Sequence, residues 1–299
     1  TDESWKVSDG PVRFSEIYDG EIYDSSKTPL LDQPVTMFDR PTDTLILQQG
    51  EEVCEQERLA VKKVFVTPNG ETVLDFGQNM TGYVELFVNA KVGDCVDLSF
   101  AEVMDKDGNF YTENYRGAKA QYHYICRDGV QTWHPSLTFY GFRYIRINDF
   151  PGGIDCVKPE NFTAIVVHSN MKRTGFLSSS NTLLNQLFSN IIWGQKGNFL
   201  DVPTDCPQRD ERLGWTGDAQ VFVRTACLNH DVEKFFTKWL ADLASDQHDD
   251  GYVGHVIPDL LQNPQASSAW GDAATICTWQ VYLAFGNKQI LKHHYQCLK

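Results

Sequence analysis

The sequence holds 299 residues with 41% hydrophobic side chains, beyond the usual single-domain length and rich enough for two or three packed cores. Its formal net charge of −14, with 26 scattered lysines and arginines against 40 acidic residues, excludes a nucleic-acid partner, because neutralising phosphate needs clustered cations. No run of about eighteen apolar residues occurs, so no membrane span and no membrane partner are expected.

In chain order, Ser25 to Pro29 and Gln33-Pro34 read as loop, whereas Ile17 to Tyr23 and Thr44 to Leu47 are predicted as short strands. Residues 1–58 therefore read as the end of an upstream accessory β domain and a bridge. The polar Thr1 to Lys6 stretch shows no secretory leader, and a cytoplasmic site is slightly favoured over a periplasmic or secreted one.

Residues 59–168 read as an antiparallel β-sandwich. Tyr83 to Val88 alternates, Val96, Leu98 and Phe100 share a face, and Arg143 to Ile147 alternates again. Turn signals at Pro68-Asn69-Gly70, Val92-Gly93-Asp94, Asp107-Gly108-Asn109 and Asp128-Gly129 punctuate these runs at intervals suited to two facing sheets.

Past Arg173 the period changes. Leu183, Leu184, Leu187, Phe188, Ile191 and Ile192 recur at three- and four-residue spacing behind a Ser180 or Asn181 cap, which predicts a helix. A second helix is predicted near Asp218 and a third from Asp231, where Phe235, Phe236, Trp239, Leu240 and Leu243 form one apolar stripe. A fourth covers Ser268 to Phe285 and stops at Gly286. Residues 169–299 are thus all helical. The eight cysteines are widely spaced without a CxxC pair and read as reduced, mostly buried thiols.

The densest chemistry lies in Asp201 to Asp218, where Pro203, Pro207, Gly214 and Gly217 forbid a continuous helix and imply a shaped loop between two helices. Its carboxylates, Arg209, Arg212 and Trp215 suit sugar recognition: acceptors and donors for hydroxyls, an aromatic face for ring C–H groups, and a carboxyl to protonate a leaving oxygen.

The string DVPTDCPQRDERLGWTGDAQ resembles the signature of the bacterial α-L-rhamnosidases of glycoside hydrolase family 78. TDESWKVSDGPVRFSEIYDGEIYD, LDFGQNMTGYVEL, HPSLTFYGFRYIRI and SSAWGDAATI resemble further segments of that family, so the likeness covers nearly the whole chain. It implies a multidomain β plus α protein, an antiparallel β-sandwich followed by the first part of an (α/α)6 six-hairpin barrel. It further implies Glu211 as the general acid, with Asp205, Arg209, Trp215, Asp218 and Trp270 around the rhamnose. The implied reaction releases terminal α-L-rhamnose from glycosides or polysaccharides with inversion, without metal or organic cofactor. An inverting enzyme needs a second carboxylate about 6.5–9.5 Å from the acid. The family's base lies beyond the barrel's midpoint, so the expectation is that these residues are a fragment lacking it and inactive alone. Exposed helix faces on such a piece allow a homo-oligomer.

Plainer readings stand beside these. Glu211 can pair with Arg209 or Arg212, Asp218 can cap a helix, Asp205 can serve an Asx turn before Pro207, and both tryptophans can be core. His248, Asp249, Asp250 and His255 lack helical metal-ligand spacing and read as a solvated loop, His293-His294 as surface, and Cys206 as a bystander thiol. The rival function is a non-catalytic rhamnose-binding protein with a degenerate pocket. A related enzyme acting on another deoxy sugar or uronic acid is a third reading.

Overall fold

The computed structural model describes residues 2–40, 42–262 and 267–299; of the expected bridge over 1–58, Thr1 and Pro41 lie outside the described residues. The chain divides into two compact units, the first formed by Thr1–Gln48, Arg58–Ile165 and Gln208–Asp210, the second by Gln49–Glu57, Val166–Pro207 and Glu211–Lys299. No helix among the described residues is long and apolar enough to cross a membrane.

The strands in chain order are β1 (Lys6–Val7), β2 (Val12–Glu16), β3 (Gly20–Asp24), β4 (Gln33–Pro34), β5 (Val53–Ala60), β6 (Lys63–Val66), β7 (Thr72–Ala90), β8 (Cys95–Ala101), β9 (Gln121–Ile125), β10 (Gly129–Trp133), β11 (Tyr140–Asp149) and β12 (Phe162–Ser169). Ten of them hydrogen-bond in the order β2-β3-β9-β8-β11-β7-β12-β5, with β10 and β6 pairing to β7 off that path. The 19-residue β7 serves several partners along its length: β6 and β10 pair with opposite ends, and β11 breaks register between Phe142 and Tyr144. Such a break twists and bends a strand, which lets one ladder wrap its own core. Val96, Leu98 and Phe100 are fully buried, as their alternation predicts, with Phe100 stacked on Tyr140 at 3.9 Å between ring centroids. Arg143 holds Asp75 through two hydrogen bonds of 2.8 Å.

Three expectations for the first fifty residues change. Val12–Glu16 and Gly20–Asp24 form a hairpin around Tyr18-Asp19 instead of one strand from Ile17. Gln33-Pro34, read as loop, pairs with Lys6-Val7. Thr44 to Leu47 is not a strand; the Leu45 N–H turns back to Thr42 O at 3.1 Å, and Leu45, Ile46 and Leu47 are more than three-quarters exposed.

The second unit carries α1 (Thr182–Asn198), α2 (Thr216–Asn229), α3 (Glu233–Asp246), α4 (Ala273–Phe285) and α5 (Lys288–His294), together with a small hairpin of β13 (Phe199–Leu200) and β14 (Val202–Pro203). Asn181 caps α1, its side chain accepting from the N–H groups of Leu183 and Leu184. The α3 stripe predicted from Phe235 to Leu243 is buried throughout and packs with Val223, Ala226, Cys277 and Val281. Gly286, at φ +72°, ends α4 in the left-handed conformation that spares a side chain. The α4 start moves to Ala273, because Ser268 to Asp272 form turns. On α1 the apolar stripe is buried only toward its end, at Ile192: Leu183, Leu184 and Leu187 are exposed.

Two expectations about side chains are corrected. All eight cysteines are free, yet only Cys126, Cys206 and Cys277 are buried, and Cys156 is exposed. His294 is buried, not at the surface, because α5 turns it toward the helical core beside Ile290. Burial pushes the Cys126 and Cys227 thiols up to about 12, so neither ionises near neutrality.

A pair of buried histidines also lies in this unit. His168 and His230 are each less than 5% exposed. His168 Nδ1 lies 2.8 Å from Ser169 O, while His230 Nδ1 has no partner. Lys196 pairs with Glu57 nearby. Burial first, then the charges of His168, Lys196 and Arg173, push the His230 imidazole down from 6.5 to about 4; burial also lowers His168. The fold favours neutral imidazole, so the unfolded chain binds more protons between these values. The stability held by His230 is full above about pH 6.5 and is lost as pH falls toward 4, amounting to about 2–3 kcal/mol by pH 4.5. Urea unfolding at pH 7 and 4.5 checks this: His230→Gln should show a smaller acid loss than the parent, and equal losses would refute it.

Candidate active site

The loop between α1 and α2 starts from a tight turn. Asp201, at φ +64°, joins β13 to β14; aspartate tolerates this region better than most residues. Its N–H donates to Ser169 Oγ at 2.9 Å and its carboxylate holds Lys238 Nζ at 2.9 Å. Thr204 then ties the chain to Asn198, its N–H donating to the carbonyl at 2.8 Å.

Asp205 and Leu213 close the loop on itself. The Asp205 N–H donates to Leu213 O at 3.1 Å, and the Leu213 N–H donates to Asp205 Oδ1 at 3.0 Å. This closure draws Asp205, Cys206 and Glu211 together, with one ligating atom of each within 4.8 Å of the others. The residue before the closure, Arg212, is buried with φ +51°, a conformation that costs a non-glycine residue about 1–2 kcal/mol. Asp205 thus closes the loop across eight residues.

Asp218 is the third residue of α2, and the cap position belongs to Trp215; the capping reading of Asp218 does not hold. Its carboxyl is raised above the usual range, first by burial, then by repulsion from Asp205 and more weakly from Glu211. The Asp218 carboxyl therefore senses both Asp205 and Glu211. Trp215 forms a bridge to Val256, and its indole N–H is buried without a hydrogen-bond partner, an arrangement that costs desolvation free energy.

A second segment backs the loop. Ile257 N–H donates to Gly214 O and Thr216 N–H to His255 O, both at 2.9 Å, while Trp239 Nε1 donates to Ile257 O at 3.2 Å. Gly214 is needed for this approach, since a Cβ there would stand 2.3 Å from Ile257 O. Trp270 lies over Gly217, where a Cβ would meet indole atoms at 2.8–3.1 Å. Asp205, Asp218 and Trp270 share a cavity of about 580 Å³ with apolar walls from Phe199 and Phe222; Glu211 and Trp215 do not line it.

Arg209 is placed differently from the other five expected residues. With Gln208 and Asp210 it belongs to the first unit, where its charge opposes the burial that raises Glu102 and Asp210 Oδ2 accepts from Gly117 N–H at 3.0 Å. The loop expected around His248 has other work: His248 stacks on Tyr252 and bonds Asp259 at 3.1 Å, and His255 Nε2 lies 2.9 Å from Ser267 Oγ. Sequence reading missed the backing segment of Val253 to Ile257. Gly214 was the one available clue, as a glycine beside tryptophan often marks a close backbone approach.

Three family models match along the chain. They are the α-L-rhamnosidase N-terminal domain at residues 1–63, the bacterial α-L-rhamnosidase concanavalin-like domain at 65–168, and the bacterial α-L-rhamnosidase 6 hairpin glycosidase domain at 172–299. This chain belongs to the bacterial α-L-rhamnosidase family. The family's fold of β-sandwich followed by six-hairpin helices accounts for the two units described above. A relative named alpha-L-rhamnosidase from Formosa agariphila is 40% identical over all of this chain and 34% of its own length. The native α-L-rhamnosidase of Aspergillus terreus superposes with a TM-score of 0.93 at 39% identity, over 99% of this chain and 36% of that one. The Streptomyces avermitilis α-L-rhamnosidase complexed with L-rhamnose gives 0.91 at 36%, over 99% and 30%. The rhamnosidase-family sequence here thus spans about a third of the length of such relatives.

The backing contact yields a test. Gly214→Ala must push Ile257 or the loop aside, at a cost of about 1–3 kcal/mol. A thermal unfolding midpoint lowered by several degrees is expected; an unchanged midpoint would show that the two segments do not depend on this contact.

Proposed function

We propose that this chain carries the acid half of an inverting α-L-rhamnosidase, which releases terminal α-L-rhamnose from glycosides or polysaccharides. The supporting observation is the convergence of Asp205 and Glu211 within 4.8 Å, with Asp218 coupled to both. Glu211, as general acid, gives its proton to the glycosidic oxygen as the bond to the anomeric carbon breaks. A carboxylate base on the other ring face takes a proton from the attacking water, so the product emerges inverted. Asp205 and Asp218 accept from sugar hydroxyls and Trp270 offers an aromatic face, while Trp215 is assigned to the same subsite by family likeness. Arg209 is assigned to the same subsite by family likeness.

The base is proposed to lie outside these 299 residues. Asp205 and Glu211 are too close for water to fit between them on opposite faces of a sugar, which takes about 6.5–9.5 Å. Exposed apolar faces on α1 (Leu183, Leu187), α2 (Val221, Leu228) and α4 (Trp279, Leu283) suit helices of a longer barrel. The relatives' greater length agrees with this.

Hydrolysis of an aryl α-L-rhamnoside by the protein carried to its natural ends tests the reading. Glu211→Gln should lower kcat by about 10²–10⁴-fold while the variant stays folded. Equal rates would remove Glu211 from the acid role, and an inactive parent that still bound rhamnose would favour a lectin. Full activity from these 299 residues alone would defeat the placement of the base.

A further inference from the structure

Trp270 is held by more than its place in a turn. Ala269, at φ +73°, donates its N–H to Asp272 Oδ2 at 2.9 Å, and Gly271 N–H donates to Ser267 O at 3.0 Å. The indole's pyrrole edge rests where Gly217 offers no Cβ. His255 meets the indole edge-on, at 5.9 Å between ring centroids and 63° between planes, and its Nε2 is tied to Ser267 Oγ at 2.9 Å. The backbone of His255 is fixed as well, because its carbonyl accepts both the N–H and the hydroxyl of Thr216 in the first turn of α2. One histidine therefore touches the start of α2, two residues from Asp218, and the ring of Trp270. Trp270 itself remains 37% exposed, so its seat fixes an accessible face.

We infer that His255, anchored by Ser267, is a positioning residue that holds the Trp270 indole across Gly217 and thereby sets how tightly the site grips a pyranose ring. This rests on the proposed role of Trp270 as a sugar contact. An aromatic face binds ring C–H groups only when its tilt is held, and a free indole must lose rotamer freedom on binding. His255 has removed that freedom in advance. The contact acts on binding and touches no reacting atom, so the effect belongs in KM and not in kcat.

The decisive experiment is a double-mutant cycle in the protein carried to its natural ends, read with an aryl α-L-rhamnoside. His255→Ala should raise KM about three- to ten-fold, the size of one edge-on ring contact, with kcat changed less than two-fold. Ser267→Ala should give a smaller rise in the same direction, and His255→Phe, which keeps the ring edge, should recover part of the loss. In a Trp270→Ala background, His255→Ala should add nothing. Equal KM effects in both backgrounds, or a fall in kcat alone, would overturn the proposal. If Trp270→Ala leaves KM unchanged, the sugar-contact role of Trp270 fails instead. The seat is then decided by the Trp270 indole N–H resonance, assigned with Trp270→Phe: a shift in His255→Ala supports the seat, and an unmoved resonance refutes it.

Discussion

Two hydrogen bonds between Asp205 and Leu213 are the constraint on which the candidate site depends. Carboxylates at such distances repel, and water would separate them if the backbone allowed it. The closure removes that choice: the Leu213 N–H holds the Asp205 carboxylate, the Asp205 N–H holds the Leu213 carbonyl, and the loop between them brings back Glu211. The repulsion is visible at Asp218, whose carboxyl is raised by burial and by Asp205. Arg212 stands in left-handed backbone at the turning point of the loop, held there by the bonds around it. Strain of this kind persists where surrounding structure over-determines it.

Much of the fold was legible because periodicity reports burial directly. The α3 stripe from Phe235 to Leu243 and the Val96, Leu98, Phe100 face are buried as their spacing implies, and Gly286 ends α4 in the conformation that favours glycine. Thr44 to Leu47 shows the limit of that signal. Its composition suits a strand, but a strand exists only where another backbone accepts its hydrogen bonds, and pairing is not written in a four-residue run. The stripe on α1 shows the complementary limit: apolar spacing says which face seeks cover, not what covers it.

The candidate site was legible to a lesser degree. Prolines and glycines marked Asp201 to Asp218 as a shaped loop, and the loop's backbone bears that out. Family likeness, not chemistry, singled out Glu211 from its acidic neighbours. What sequence could not offer was the support around it. Val253 to Ile257 lies some forty residues on along the chain and reads as undistinguished loop, yet it supplies the carbonyls that seat Thr216 and Trp239. His168 and His230 were equally silent, since long-range burial of an imidazole leaves no local pattern.

The pairing of β3 with β9 carries a consequence for how the chain is made. Gly20–Asp24 lies parallel to Gln121–Ile125, and Gly20 sits so close to Gln121 that a Cβ would overlap its carbonyl oxygen. A ribosome delivers residues at about 5–20 per second, so the β2–β3 hairpin waits on the order of ten seconds for the neighbour that secures it. The β2–β3 hairpin thus leaves the tunnel well before the strand that gives it a permanent edge. A nascent chain stalled before Gln121 exposes β3 as an open template, which makes this stretch a natural foothold for a chaperone or for a neighbouring nascent chain.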